Sequence, residues 1–191
     1  MHLNDHIRIY DDFFNEEQLK NLMDFAVKQE YSKGRIVTLD QQEVEDKSTR
    51  IVEGVGLSPM DNSMTNVFWF HIIRKLIHTK YKEYSKNYNI DYLNLNGILP
   101  PEILKYTPGG HYIPHVDHCA SYPRTLSAIV FLNEDYTGGE LVFTEHNGPK
   151  IFFKVEKKPG RCVIFPSNFL YPHSVTPVET GVRYSIVTWM Y

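Results

Sequence analysis

Sulfur is scarce in this sequence: two cysteines, Cys119 and Cys162, in 191 residues. Two thiols cannot build the multi-bridge framework of a small secreted domain, so a reducing compartment, the cytoplasm, is expected. No stretch approaches the ~18 apolar residues of a membrane span. The opening residues Met1-His2-Leu3-Asn4-Asp5-His6 lack the apolar core of a signal peptide. An excess of one charge is also missing. A net charge of −3 and a pI near 6.3 create no field for nucleic acid or an anionic membrane surface, and neither is expected as a partner. The one basic stretch, Arg74, Lys75, Lys80, Lys82 and Lys86 around Glu83, is interleaved with Val67, Phe68, Ile72, Leu76 and Ile77. It reads as the solvated face of a helix whose other face packs. Low-complexity linkers and internal repeats are absent.

What is present is the composition of a globular protein, 42% hydrophobic and 23% charged, in a length that suits one domain. That domain is expected to span 1–191, with a helical support region over about 1–90 and a β-rich region over about 91–191. A short strand is expected at Ile7–Tyr10. Asn15 then offers an N-cap, Gln18 stands at the capping-box position, and Leu19, Leu22, Met23 and Ala26 form one apolar stripe. Residues 40–49, with Asp40, Glu43, Glu45 and Asp46, read as an exposed acidic loop. Ser58-Pro59 or Asp61 opens a longer helix running to about Lys86.

Beyond residue 92 the pattern changes to short runs rich in Val, Ile, Phe and Tyr. Strands are predicted at 93–98, 103–106, 125–132, 140–143, 151–155, 161–165, 173–178 and 183–189. Turn signals separate most of them, among them Pro108-Gly109-Gly110, Gly138-Gly139, Asn147-Gly148, Pro159-Gly160 and Thr180-Gly181. Regularly spaced strands without interposed helices indicate a sandwich or barrel, with the two N-terminal helices packed on one sheet.

The chemistry concentrates in His115-Val116-Asp117, His173 and Arg183. On an extended strand, residues two apart project from one face, so His115 and Asp117 point the same way. A second imidazole completes the two-His-one-carboxylate set of non-haem Fe(II) oxygenases, which leaves metal positions open for a co-substrate and O2. By itself the pair is more often a surface pair, and His173 more often an ordinary strand histidine. Order and spacing change that balance. His173 follows His115 by 173 − 115 = 58 residues, room for several strands and a return to the same barrel mouth. Arg183 lies one short hairpin further on, in an otherwise apolar strand, where a buried guanidinium needs an anionic partner. A bidentate grip on a co-substrate carboxylate supplies one, with Ser185 on the same face; Glu140 is the alternative partner within the protein.

The pattern Tyr106-x-x-Gly109-x-x-Tyr112-x-x-His115-x-Asp117 resembles the signature of the prolyl 4-hydroxylase branch of the 2-oxoglutarate/Fe(II) dioxygenases. It continues through Arg124, Phe131-Leu132-Asn133, Gly138-Gly139-Glu140, Phe143, Pro159-Gly160, Phe165-Pro166, His173, Pro177-Val178, Gly181, Arg183 and Trp189. The similarity is dense over 103–191 and looser over 7–60. It implies a mainly β fold with flanking helices and a double-stranded β-helix (jelly-roll) core. It implies Fe(II) on His115, Asp117 and His173, and 2-oxoglutarate on Arg183 with Tyr106 nearby. Tyr112 and Trp189 would border the metal, and Arg124 would face the substrate entrance. O2 and 2-oxoglutarate would be consumed, with ascorbate as a further reductant, and succinate and CO2 released as a C–H bond is hydroxylated. A prolyl residue of a peptide or protein is the leading substrate class. A free amino acid or other small molecule is the alternative, and a non-catalytic metal- or peptide-binding β-barrel is the alternative of another kind. A monomer or weak homo-oligomer is expected. Two departures stand out: Phe131 occupies a position where many relatives carry tyrosine, leaving Ser185 to supply a hydroxyl, and Arg183 replaces the lysine usual in collagen-type members.

Overall fold

The structure, a computed structural model, describes residues 2–37, 43–95, 97–146, 148 and 150–191. After β1 (Arg8–Tyr10) comes α1 (Glu16–Ala26), which starts where the capping residues predict. Asn15 Oδ1 accepts from the Gln18 amide at 2.8 Å and Gln18 Oε1 accepts from the Asn15 amide at 3.2 Å, satisfying two donors the helix itself leaves unpaired. Leu22 and Ala26 are buried, with Leu19 and Met23 packed beside them.

The following stretch is more ordered than its composition suggests. It contains β2 (Ser32–Lys33), β3 (Ile36–Val37), β4 (Glu43–Val44), β5 (Arg50–Ile51) and β6 (Glu53–Gly56). The expected acidic loop at 40–49 is corrected in its described part. Residues 43–44 pair with 36–37, and the Asp46 carboxylate accepts from the hydroxyls of Ser48 and Thr49 to close a turn. Residues 40–42 lie outside the described residues.

Helix α2 (Met64–Tyr88) begins at Ser63, whose Oγ accepts from the Asn66 amide, and not at Ser58-Pro59 or Asp61. Asp61 instead accepts from the Ser63 amide at 2.7 Å and shapes the approach to the cap. Its buried face carries Trp69, Phe70, Ile73, Ile77, Tyr81 and Tyr84, while Phe68, expected on the packed side, is 53% exposed. The reason lies further along: the row through Phe68, Ile72 and Leu76 runs into Lys80 and Glu83, whereas the row through Trp69, Ile73 and Ile77 stays apolar to its end. Lys75, Lys82 and Lys86 are exposed as expected, and Arg74 and Lys80 lie over the rings of Phe70 and Tyr10.

Among the described residues of 93–98, the expected strand does not form. Asp91–Leu93 is a 3-10 turn, Asn94 takes a left-handed φ of 46°, and Ile98 makes only a single bridge to Met190. The remaining runs are strands: β7 (Glu102–Tyr106), β8 (His111–His115), β9 (Leu126–Phe131), β10 (Thr137–Gly138), β11 (Leu141–Thr144), β12 (Ile151–Val155), β13 (Cys162–Pro166), β14 (His173–Val175), β15 (Val178–Thr180) and β16 (Arg183–Met190). The single run expected at 173–178 breaks before Pro177, which has no N–H to give a ladder. Gly109, at φ +85°, makes the β7–β8 turn, a backbone position that disfavours any side chain. Asn147 of the expected turn lies outside the described residues.

Two large antiparallel sheets result, beside the two-stranded pairs β3-β4 and β10-β15. The larger has the order β1-β13-β9-β16-β7-β6-β2 and the smaller β12-β11-β14-β8-β5. From β7 onward the chain passes back and forth between them: β7, β9, β13 and β16 in the larger, β8, the hairpin β11–β12, and β14 in the smaller. This alternation is a double-stranded β-helix. Along the larger sheet, Ile103, Ala128, Val130, Ile164 and Ile186 face the helices, in one core with Leu22, Trp69 and Ile73. Leu104, Ile129, Phe131 and Val187 face the smaller sheet, in a second core with Phe143 and Val175. Both helices therefore cover the outer face of one sheet. The inner faces are left to build a cavity.

Candidate active site

β8 and β14 are neighbours in the smaller sheet, and their register sets His115 directly opposite His173. β8 ends at His115, so Asp117 sits just past the strand, at a bend that still turns its carboxylate inward. His115 Nε2 lies 3.7 Å from Asp117 Oδ1, and His173 Nε2 lies 3.5 Å from Asp117 Oδ2. One ligand atom from each of the three lies within 4.8 Å of the others. These residues could hold one divalent ion on N, N and O donors.

The groups behind the triad fix its orientation. His115 Nδ1 meets the Ile113 carbonyl at 2.9 Å and His173 Nδ1 meets the Tyr171 carbonyl at 3.2 Å. A carbonyl can only accept, so each Nδ1 carries the proton and each Nε2 keeps a free lone pair toward the shared centre. Burial, reinforced by the neighbouring imidazole, pushes His115 down to about 3, and the ring is neutral at pH 7. Burial alone would raise the Asp117 carboxyl, but the two imidazoles and Ser127 outweigh it and hold it below the usual carboxylate range. Ser127 Oγ donates to Asp117 Oδ2 at 2.6 Å and is itself 2.8 Å from Ser167 Oγ. The Tyr112 ring stacks on His115 with centroids 3.5 Å apart, Arg50 lies over Tyr112 at 4.9 Å, and Phe165 meets His173 edge-on at 4.8 Å.

Arg183 opens β16 opposite Tyr106 of β7 and is 1% exposed. Its Nη1 donates to Ser185 Oγ at 2.8 Å, whereas Nε and Nη2, although the buried Tyr136 hydroxyl lies close by, have no well-formed hydrogen bond among the described residues. The guanidinium lies 5.0 Å from the Tyr106 ring and 5.2 Å from the Phe131 ring. Phe131, where a tyrosine was the alternative, thus offers a ring face, and Ser185 offers the hydroxyl. Glu140, the alternative partner within the protein, pairs with Lys154. Gly139, at φ +60°, leaves the stem its room, since a Cβ there would sit 3.1 Å from Arg183 Cδ. Two unpaired N–H groups on a buried cation cost about 1–3 kcal/mol each unless an acceptor arrives. A ligand carboxylate is the group that this end of the cavity fits.

At the other end, the Arg124 guanidinium stands 3.6 Å from the Trp189 ring centroid, and its Nη1 is 3.5 Å from the Asp117 carbonyl. Trp189 Nε1 is buried near the Asp117 carboxylate without a well-formed hydrogen bond. A cavity of about 460 Å³ joins these parts. All nine residues singled out in the sequence (Tyr106, Tyr112, His115, Asp117, Arg124, His173, Arg183, Ser185 and Trp189) line it.

Arg50, Glu102 and Ser127 also belong to the site's surroundings and were not singled out. Ser127 had a signal: it is the polar residue in the apolar run Leu126–Phe131. Glu102 had one too, lying four residues before Tyr106 and so on the same face of the strand. Arg50 reaches the site only through the pairing of β5 with β8, which nothing local announces.

Comparison with known proteins agrees with this geometry. Prolyl 3-hydroxylase 2 of Rattus norvegicus is 32% identical over 81 residues, covering 40% of this chain and 12% of that protein. The chain thus corresponds to about an eighth of the length of that relative. Among solved structures, a Pseudomonas putida prolyl-4-hydroxylase superposes with a TM-score of 0.71 at 20% identity, covering 97% of this chain and 91% of that one. A prolyl hydroxylase of Trichoplax adhaerens, solved with a hypoxia inducible factor oxygen degradation domain peptide fragment, gives 0.70 at 20% identity, covering 97% and 83%. At such identities the likeness is one of fold. Residues 101–191, just under half of the chain, match the family model of the 2OG-Fe(II) oxygenase superfamily, and His115, Asp117, His173 and Arg183 all lie inside that span.

Proposed function

We propose that this protein is a 2-oxoglutarate- and Fe(II)-dependent hydroxylase acting on a prolyl residue of a peptide or protein. In this reading His115, Asp117 and His173 hold the iron. Arg183, with Ser185 and Tyr106, holds the distal carboxylate of 2-oxoglutarate. Bound iron and co-substrate supply the oxidising chemistry, in which O2 is consumed, succinate and CO2 leave, and a C–H bond gains a hydroxyl group. The protein's own share is geometric and electrostatic. The two Nδ1–H···O=C bonds hold lone pairs on the ligating nitrogens, Ser127 orients Asp117, and the rings of Tyr112, Phe165 and Trp189 restrict water around them.

The observation that carries the reading is the fully buried Arg183 with two unpaired N–H groups, opening on the cavity that also holds the triad. A structural arginine would have found its counter-ion in the protein. The Tyr106 hydroxyl makes no hydrogen bond among the described residues and lines the same cavity, which supports a ligand between Arg183 and Tyr106. The peptide assignment is supported by the relatives, all three prolyl hydroxylases by name and one of them solved with a peptide. The test is incubation with iron, 2-oxoglutarate and ascorbate against a panel of prolyl peptides. Succinate formation and a product heavier by one oxygen atom are expected. A wild-type protein that binds iron yet never consumes 2-oxoglutarate, with or without peptide, overturns the reading.

A further inference from the structure

One acidic group in the cavity has no role so far. Glu102 begins β7, and the alternation Glu102, Leu104, Tyr106 turns all three side chains inward, while Ile103 between them is fully buried on the helix side. Its register partner across β16 is Val187, two residues before Trp189. The carboxylate thus lies on the wall that also carries Trp189, away from the Arg183 end. Among the described residues it makes no hydrogen bond and no ion pair within 4.0 Å.

The neighbouring cations do not neutralise it. Arg50 and Arg124 are the charges that act on Glu102, yet neither comes within ion-pair distance of it, and each keeps a buried Nε without a partner among the described residues. Arg50 lies over Tyr112 and donates to the Arg35 carbonyl at 3.0 Å, and Arg124 is seated on Trp189. The surroundings nonetheless make room for the carboxylate. Any side-chain carbon at Gly54, on the adjacent strand β6, would collide with Glu102 Oε1. Burial pushes the Glu102 carboxyl upward, and the two arginines only partly oppose that. An acid that is desolvated, unpaired and given space on a cavity wall has an unmet demand for a cation.

Resting on the hydroxylase reading above, we infer that Glu102 is a specificity residue that binds a positively charged nitrogen of the substrate, with Arg124 and Arg50 opposite it to receive the substrate's carbonyl or carboxylate oxygens. The same nitrogen chemistry is offered by the ammonium of a free amino acid and by a lysine or arginine beside the target residue of a peptide. Matched pairs of probes separate these sources. One pair is L-proline and N-acetyl-L-proline, which share a carboxylate and differ in the ammonium. The other is an acetylated prolyl peptide with lysine next to proline and the same peptide with glutamine there.

The experiment is calorimetric titration of the full-length protein, loaded with iron and 2-oxoglutarate without oxygen, with each probe. In at least one pair the cationic member should bind roughly 10- to 100-fold more tightly, the effect of one charge-assisted contact. Glu102→Gln should erase that preference and Glu102→Lys should reverse it. Gly54→Ala, which displaces the carboxylate and keeps its charge, should weaken the preference and serves if the Glu102 variants do not fold. Equal binding within both pairs, or a preference that survives in Glu102→Gln, overturns the inference. Oxygen-dependent decay of 2-oxoglutarate in the wild-type protein is followed in parallel. If it occurs while charge makes no difference, only the role of Glu102 falls; if it never occurs, the hydroxylase reading itself falls.

Discussion

Replacing Arg183 with methionine should move stability and co-substrate affinity in opposite directions. The wild-type guanidinium is 1% exposed and leaves Nε and Nη2 without acceptors. Each such group costs about 1–3 kcal/mol when no ligand is bound. Methionine has no donors, is flexible enough to follow the rings of Tyr106 and Phe131, and leaves a void worth on the order of 1 kcal/mol. With the lost hydrogen bond to Ser185 costing about another 1 kcal/mol, the ligand-free variant should be as stable as wild type or more stable by up to about 4 kcal/mol. For a chain of this size, each kcal/mol raises the melting temperature by about 2–4 °C. Against 2-oxoglutarate the same change removes a buried charged contact worth about 2–4 kcal/mol. The half-saturating concentration should then rise by roughly 30- to 700-fold. Thermal unfolding with and without 2-oxoglutarate reads both quantities in one titration. Wild type should melt higher as 2-oxoglutarate is added, and Arg183→Met should lose that response while its ligand-free melting temperature holds or rises. A variant that melts well below wild type without ligand yet keeps its response to 2-oxoglutarate would refute the reasoning and make Arg183 a structural cation.

Other outcomes follow from the same geometry. His115→Ala or Asp117→Ala should abolish succinate production while circular dichroism stays that of the folded protein; turnover in either variant removes the iron assignment. Ser127→Ala, which frees the Asp117 carboxylate from its hydroxyl donor, should weaken metal binding by about 10- to 100-fold, measured by competition with a chelator. Asp11 is held below the usual carboxylate range, chiefly by its hydrogen bonds from Arg161. The stabilisation is therefore present above the ordinary carboxylate pKa and lost as pH falls through the lowered one. Asp11→Asn should destabilise by no more than about 1 kcal/mol at pH 7 in urea unfolding, the scale for a half-exposed pair, and by nothing measurable once the wild-type carboxyl is protonated. Cys119 is exposed and Cys162 is buried with its thiol pushed up by that burial, so iodoacetamide should modify one thiol in the folded protein and two in urea.

Much of the site could be read from the sequence because its members sit on strands that announce themselves. Alternation sets Tyr106 and Arg183 on inward faces, and the interval between His115 and His173 is right for strands that become neighbours. The first helix was legible to the residue, since Asn15 and Gln18 form a local device that needs no tertiary context. The N-terminal half of the two sheets was not. β2, β5 and β6 are two to four residues long; β6 and β5 exist because β7 and β8 present free edges to them, and β2 because β6 does so in turn. A pairing of that kind has no periodicity of its own. The register of α2 was misjudged for a related reason: two apolar rows lie side by side on that helix, and only its far end, Tyr81 and Tyr84 against Lys80 and Glu83, decides which is inward. Glu102 escaped because an acidic residue opening a strand is ordinarily a solvated one.

The stack of Arg50 on Tyr112 on His115 ties the two halves of the chain into one instrument. Its outermost layer comes from a segment that lies well before residue 101, where the match to the superfamily begins. A fragment trimmed to that match would keep every proposed ligand and Tyr112, yet strip Arg50 from the outer face of Tyr112 and lay bare the apolar outer wall at Ile103, Ala128 and Ile186. The first hundred residues are therefore a supporting part of the proposed iron site, and shortening the chain from that side should cost metal affinity before it touches any atom of the triad.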